Sequence, residues 1–183
     1  QFTVYRHDPQ NPGSLSHNLV NAIWDDHVGR IWIGTPGGLN QLDRSRGGFT
    51  AFTTKDGLAD DTIQAILEDG QGYLWLATHN GLSRFHPPTK TFRNYSEADG
   101  LPSNFFSQYG AETAWQGQDG EMVFGSMNGV TTFYSDRLSP NPYVPPVILT
   151  DFLLFNKPVH PGGDSPLHKP IWTTDSLTLT HAQ

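Results

Sequence analysis

Short runs of alternating apolar and polar residues recur along this chain at a nearly constant interval. Val20-Asn21-Ala22-Ile23-Trp24 puts Val20, Ala22 and Trp24 on one face. Ile63-Gln64-Ala65-Ile66-Leu67 repeats the pattern, and Ala111, Thr113 and Trp115 echo it. Alternation over five residues predicts a strand. A second strand is predicted just downstream in each case: Ile31-Trp32-Ile33-Gly34, Leu74-Trp75-Leu76-Ala77 and Met122-Val123-Phe124-Gly125. Both of its faces are largely apolar, as in a strand covered on two sides. Turn chemistry rich in Asp and Gly joins the two strands, at Asp26 to Gly29, Asp69 to Gly72 and Asp119-Gly120, which is the signature of a hairpin. A third strand follows Gly38, Gly81 and Gly129. A fourth is predicted at Phe49 to Phe52 and Phe92 to Tyr95, with Phe2-Thr3-Val4-Tyr5 as its counterpart upstream.

The repeat is regular in length. Trp32 to Trp75 is 43 residues and so is Gly38 to Gly81, while Gly81 to Gly129 is 48, a small insertion in the third copy. Four short antiparallel strands every 40 to 50 residues predict β-propeller blades. The fold class expected is therefore all-β, with about three four-stranded antiparallel units. Long turns join the units, at Gly13 to Asn18, Asp56 to Asp61 and Asp99 to Asn104. No stretch has a convincing helical period. After Tyr134 the pattern stops, and Pro140, Pro142, Pro145 and Pro146 mark a boundary, because proline cannot continue a ladder. Val147 to Phe155 and Ser176 to Thr180 then predict strands of a second domain. The domains expected are propeller repeats over 1–139, a proline-rich linker over 140–146, and the opening of a β-sandwich over 147–183.

Composition narrows the reading. The 183 residues are 36% hydrophobic and 12% aromatic, enough for a core, and 19 Gly with 14 Pro suit many turns. The net charge is −7 and no basic run exceeds two residues, so neither nucleic acid nor an anionic membrane is expected as a direct partner. No stretch approaches the ~20 apolar residues of a membrane span. With no Cys, disulfides and thiolate sites are excluded. The chain begins at Gln1 rather than Met and is expected to be a piece of a longer protein.

Candidate chemistry is sparse. Trp24, Trp32, Trp75 and Trp115 stand mid-strand at repeat positions, which predicts packing between blades over stacking on sugars. The acidic pairs Asp25-Asp26, Asp60-Asp61 and Glu68-Asp69 include equivalent turn positions, and a turn role outweighs a glycosidase pair. The eight His have no ligand spacing, and calcium-loop spacing is lacking. No catalytic residue, metal site or cofactor is expected. Binding is expected on loops around the channel mouth. Thr35, His79, Asn80, Met127 and Asn128 in or beside the turns between second and third strands are the candidates, with Asn18, Asp61 and Asn104 in the inter-blade turns.

These repeats resemble the two-component regulator propeller repeat, which runs Asp-x-x-Gly, a strand with Trp and Gly-Thr, then Gly-Gly-Leu. Gly29 to Leu39 matches almost throughout. Gly72 to Leu82 has Ala77 for Gly and Asn80 for the first Gly; the third copy has Val123 for Trp and Ser126 for Thr. Pro145 to Val159 resembles the opening strand of the triple-tyrosine domain that follows such propellers. The resemblance implies a piece of the periplasmic, ligand-sensing region of an inner-membrane two-component sensor, most often a hybrid histidine kinase. It implies a glycan-type or other small ligand and no enzyme activity in this segment. The open alternatives are the sensor region of a diguanylate cyclase, a secreted lyase or glycosidase, and a structural spacer. Three blades are too few to close a propeller and leave open faces and edges. Partners expected are therefore the other blades of the parent propeller, or further copies of the chain in a homo-oligomer.

Overall fold

The computed structural model describes residues 2–106, 114–138, 150–163, 165–174, 176–177 and 179. The chain divides into two units, Gln1–Ser139 and Pro140–Gln183.

The first unit is a row of three antiparallel sheets. Blade one is β1 (Ala22–Asp25), β2 (Ile31–Thr35), β3 (Gly38–Asp43) and β4 (Gly48–Phe52). Blade two is β5 (Ile63–Glu68), β6 (Leu74–Thr78), β7 (Gly81–His86) and β8 (Thr91–Tyr95). Blade three is β9 (Ala114–Gln116), β10 (Glu121–Ser126) and β11 (Gly129–Tyr134). Each sheet is a meander in chain order. The first strands lie side by side, β1 beside β5 and β5 beside β9, so they form the inner edge of the row. The echo at Ala111 and Thr113 lies outside the described residues.

Aromatic seams hold the blades together, and each is built alike. Trp32 of β2, Phe52 of β4 and Phe85 of the next blade's β7 meet with centroids 5.0 to 6.1 Å apart. Trp75, Tyr95 and Phe133 repeat the arrangement, with Trp75 5.3 Å from Tyr95 and 4.7 Å from Phe133. Both Trp side chains are buried. Trp24 packs against both core clusters, whereas Trp115 is exposed on β9 and does not fill a seam.

The Asp that opens the first turn in blades one and two has a structural reason. Asp26 is buried and accepts from the Val28 and Arg30 N–H groups, from Arg30 Nε at 2.6 Å and from Trp32 Nε1 at 2.8 Å. Asp69 accepts from the Gln71 and Tyr73 N–H groups, from Trp75 Nε1 at 3.0 Å and from Arg84 Nη2 at 3.1 Å. A buried indole N–H needs an acceptor, and this turn supplies it. In the third copy Gly117 stands for the Asp and Val123 for the Trp; acceptor and donor are missing together.

The inter-blade turns also repeat. Thr53 and Ser96 open them with Asp56 and Asp99 closing a capping box, and Gly57 and Gly100 take the left-handed conformation that ends each short turn. The turn is then tied down on its own blade. Ser16 N donates to Asn40 and Ala59 N donates to Ser83, both at 3.0 Å. In the third copy Pro102 occupies that place and has no N–H to give. Thr131, the counterpart of Asn40 and Ser83, is left with its hydroxyl buried and unpartnered.

Two expected strands of this unit differ. Phe2 to Tyr5 forms no strand, because no neighbour offers it a ladder among the described residues; Phe2 is 99% exposed. Blade three shows three strands among the described residues rather than four.

In the second unit the expected strand from Val147 to Phe155 shortens to β12 (Leu153–Leu154), paired with β13 (Lys157–Pro158); residues 147–149 lie outside the described residues. Phe155 (φ 49°) and Asn156 (φ 62°) form the loop, with both central residues left-handed as a tight hairpin of right-handed twist requires. The strand ends there because these two residues reverse the chain. Ser176, Leu177 and Leu179 carry no strand, and no partner strand for them is described; Thr178 and Thr180 lie outside the described residues, as do the expected linker residues 140–146. Among the described residues of this unit, Leu167 and Ile171 are the buried apolar side chains.

Candidate functional site

The two-residue turns between second and third strands are Pro36-Gly37, His79-Asn80 and Met127-Asn128. A hydroxyl anchors each. Thr35 Oγ1 donates to Gly38 O at 3.1 Å, Thr78 to Gly81 O at 2.8 Å and Ser126 to Gly129 O at 3.1 Å. Thr35 is fully buried and also bonds Ser16 Oγ at 2.8 Å, so its hydroxyl is spent on the turn.

The candidates of the inter-blade turns are equally engaged. Asn18 accepts from His7 N at 2.8 Å, Asp61 from Thr54 N at 2.7 Å and Asn104 from Glu97 N at 2.7 Å. These are local bonds that fix each turn.

What the fold assembles is smaller and centres on blade two. The segment Asn104 to Phe106 runs along the β6–β7 turn, where Asn104 O accepts from Gly81 N at 2.6 Å and Phe106 N donates to Thr78 O at 3.1 Å. Phe105 O accepts from Met127 N, so Phe105 bridges the turns of blades two and three. Its ring stacks on His79, centroids 4.5 Å apart and planes 29° apart. Gln64 reaches the edge of the imidazole, with Nε2 2.6 Å from His79 Nε2. Gln64 stands where the β5–β6 register shifts between Ile63 and Ala65, and a bulge of this kind re-aims a side chain. It is 7% exposed, and its Oε1 has no hydrogen-bond partner. A buried amide with a free carbonyl is costly, and such a group is suited to receive a donor. His79 is half-buried, while Phe105, Asn80, Met127 and Asn128 are exposed. The structure thus brings His79, Asn80, Met127 and Asn104 to one neighbourhood around Phe105. It leaves Thr35 and Asn18 on blade one and Asp61 in the preceding turn.

Gln64 and Phe105 were not legible as site residues. The signal available was a polar amide at the same place in two copies, Asn21 and Gln64. In blade one Asn21 Nδ2 donates to Ile63 O at 2.9 Å, so the shorter amide ties two blades together.

At the other end of the blades a cleft of about 480 Å³ is lined by Trp24, His27, Glu68 and Gln116 among others. Glu68 is committed there to the His27 ring, to His27 N at 3.0 Å and to Trp24 Nε1 at 3.4 Å. No group of three His, Cys, Asp or Glu residues able to hold a metal occurs among the described residues. No helix is long and apolar enough to cross a membrane among them.

Residues 57–80 match the family described as two component regulator propeller. This segment contains most of the second inter-blade turn, Gln64, the Asp69–Trp75 pair and His79. A 76-residue stretch is 36% identical to histidine kinase P4 of Formosa agariphila, covering 41% of this chain and 6% of that protein. Among solved structures, PorZ, an essential surface component of the type-IX secretion system of Porphyromonas gingivalis, superposes with a TM-score of 0.53 at 17% identity, over 70% of this chain and 19% of that one. The extracellular domain assigned to the hybrid two component system BT3049 of B. thetaiotaomicron gives 0.43 at 22% identity, over 97% of this chain and 28% of that one. The chain therefore spans a small part of the proteins it resembles. The likeness to PorZ supports the propeller-like, all-β fold.

Proposed function

We propose that this chain is part of the extracytoplasmic, ligand-sensing region of a membrane-bound two-component sensor, with a histidine kinase as output and its second unit opening a β-sandwich. The observation that carries this reading is the family match over residues 57–80, and the likeness to a histidine kinase supports it. On this reading the segment binds and does not catalyse. Asp26, Asp69 and Glu68 spend their oxygens on turns, indoles and an imidazole, which leaves none of them poised as a glycosidase acid or nucleophile.

The ligand proposed is a neutral oligosaccharide or similar polyhydroxylated molecule. The exposed Phe105 ring offers an apolar face, and Gln64 Oε1 and Asn80 offer amide groups to hydroxyls; few polar groups beside an aromatic wall are the usual composition of a small-molecule site. Calorimetric titration of the 183-residue chain with a panel of neutral oligosaccharides tests it. The expected result is saturable binding of at least one member, weakened about tenfold or more by Gln64→Leu, which removes an amide of the charge-free, hydrogen-bonding kind that binding sites rely on. Binding by no member, or binding that Gln64→Leu and His79→Ala both leave unchanged, would overturn it.

A further inference from the structure

Resting on the ligand site proposed above, we infer that His79 sets the polarity of that site. The neutral ring holds the Gln64 amide with its carbonyl free for a ligand hydroxyl. The protonated ring turns the amide over, so that the pair presents donors only and takes a carboxylate-bearing sugar.

The contact itself fixes where the ring proton sits. Gln64 Nε2 lies 2.6 Å from His79 Nε2. An amide nitrogen carries hydrogens and does not accept, so it donates, and the ring nitrogen supplies the lone pair. The neutral ring then carries its hydrogen on Nδ1, which has no hydrogen-bond partner among the described residues. Gln64 Oε1 is left unpartnered although the residue is buried. In this state the pair offers one acceptor, Oε1, and one donor, Nδ1–H.

A second proton reverses that pattern. A charged imidazole carries hydrogens on both nitrogens, and two donors do not face each other at hydrogen-bond distance. The ring is poorly placed to move away. Phe105 stacks on it with centroids 4.5 Å apart. Thr78 pins the turn, accepting from Asn80 N at 3.0 Å and donating to Gly81 O at 2.8 Å. The amide is freer. Its terminal torsion is broad and roughly two-fold, and exchanging oxygen for nitrogen changes the volume little. No hydrogen bond opposes the turn, because Oε1 has none to lose. Afterwards Oε1 accepts from His79 Nε2–H, and the amide N–H groups stand where the free carbonyl stood. A hydroxyl can meet either end of an amide. A carboxylate only accepts, and its bonds to a charged donor are about twice as strong as neutral ones.

The charge on His79 has no fixed counter-charge. No carboxylate, Lys or Arg bonds to this ring among the described residues. On the adjoining turns Asp60 holds Thr62 N, Asp61 holds Thr54 N, Glu97 holds Asn104 N and Asp99 holds Ser96 N. Glu68 of β5 and Arg84 of β7 are engaged at the other end of the blade, with His27 and Asp69. The blade-three turn brings Met127 and Asn128, which do not titrate. Blade one has Pro36-Gly37 at its turn, and its amide is spent, since Asn21 Nδ2 donates to Ile63 O. The device therefore belongs to blade two.

Nitrogen-15 NMR of the whole 183-residue chain tests this, following the His79 ring nitrogens and the Gln64 side-chain amide between about pH 8 and about pH 5, where histidines change charge. Without ligand, Nε2 should be the unprotonated nitrogen at the alkaline end, and the Gln64 amide signals should move with the ring's own midpoint. His79→Phe keeps a stacking ring and should leave those amide signals flat. Glucuronate should bind about tenfold or more tightly at the acid end and raise the ring's midpoint, because coupling between two ligands is reciprocal; glucose should do neither. A neutral ring protonated on Nε2, or amide signals that ignore the ring, would overturn the switch and leave the neutral-oligosaccharide reading standing. Glucuronate that binds at neither end, or equally at both, would overturn the carboxylate assignment even where the amide turns.

Discussion

At the scale of single residues, the buried carboxylate of the first turn explains the most. Burial pushes the Asp26 carboxyl up, but hydrogen bonds from Trp32 Nε1, from the Arg30 backbone and from the Arg30 side chain, together with the Arg30 charge, outweigh it and hold the carboxyl below its ordinary value. A group depressed in this way contributes stability at every pH above its unfolded value of about 3.9. That contribution is lost as pH falls through the lower, folded value. Asp26→Asn keeps the shape but turns an amide N–H toward the Trp32 and Arg30 donors, leaving them unpaired at a cost of about 3 kcal/mol. Urea midpoints should drop accordingly at neutral pH. They should also fall less steeply between about pH 5 and pH 3 than those of the parent chain, because the variant has one fewer carboxylate to protonate. An equal acid slope in both would show that Asp26 is not the group responsible. The same residue scale shows why an Asp and a Trp six residues apart were readable as a turn and a seam, while their hydrogen bond was not: nothing in a one-dimensional pattern says that the indole folds back over the turn.

Between elements, the second strand of one blade meets the first strand of the next, and that contact sets how closely blades can approach. At Gly34 an added methyl would fall 3.0 Å from Ile63 Cβ and 2.6 Å from its Cγ2, and a β-branched side chain cannot swing aside easily. Gly34→Ala should therefore destabilise by about 1 to 3 kcal/mol, read as a lower thermal midpoint, because overpacking a close-packed seam forces backbone shifts. A variant as stable as the parent would mean the blades separate without cost. Blade two accepts Ala77 at the equivalent place, buried within the second seam, so the tolerance depends on the neighbour and not on the repeat. This is also where sequence reading reached its limit. The four-strand period, the hairpin turns and the seam tryptophans were visible, since each follows from alternation or turn chemistry. The bulge that turns Gln64 toward His79 was not, because a register shift depends on the partner strand. The expected strands at Phe2 to Tyr5 and Ser176 to Thr180 have the right pattern but no described partner, and a strand exists only as part of a ladder.

Across the whole row, stability is graded by how many neighbours a blade has. Every residue of β6 is buried, because blade two is covered on both sides by aromatic seams. β2 and β10 alternate buried with half-buried residues, each blade having one covered face. Repeat architectures are stabilised largely by such nearest-neighbour interfaces, so opening an end blade breaks one seam while opening the middle blade breaks two. Amide hydrogen exchange in dilute solution should show this as a gradient, with β6 amides exchanging about tenfold or more slowly than those of β2 and β10. Uniform protection across the three blades would instead mean that the row unfolds as one cooperative unit and that the seams, strong as their aromatic contacts are, do not set the order in which it opens.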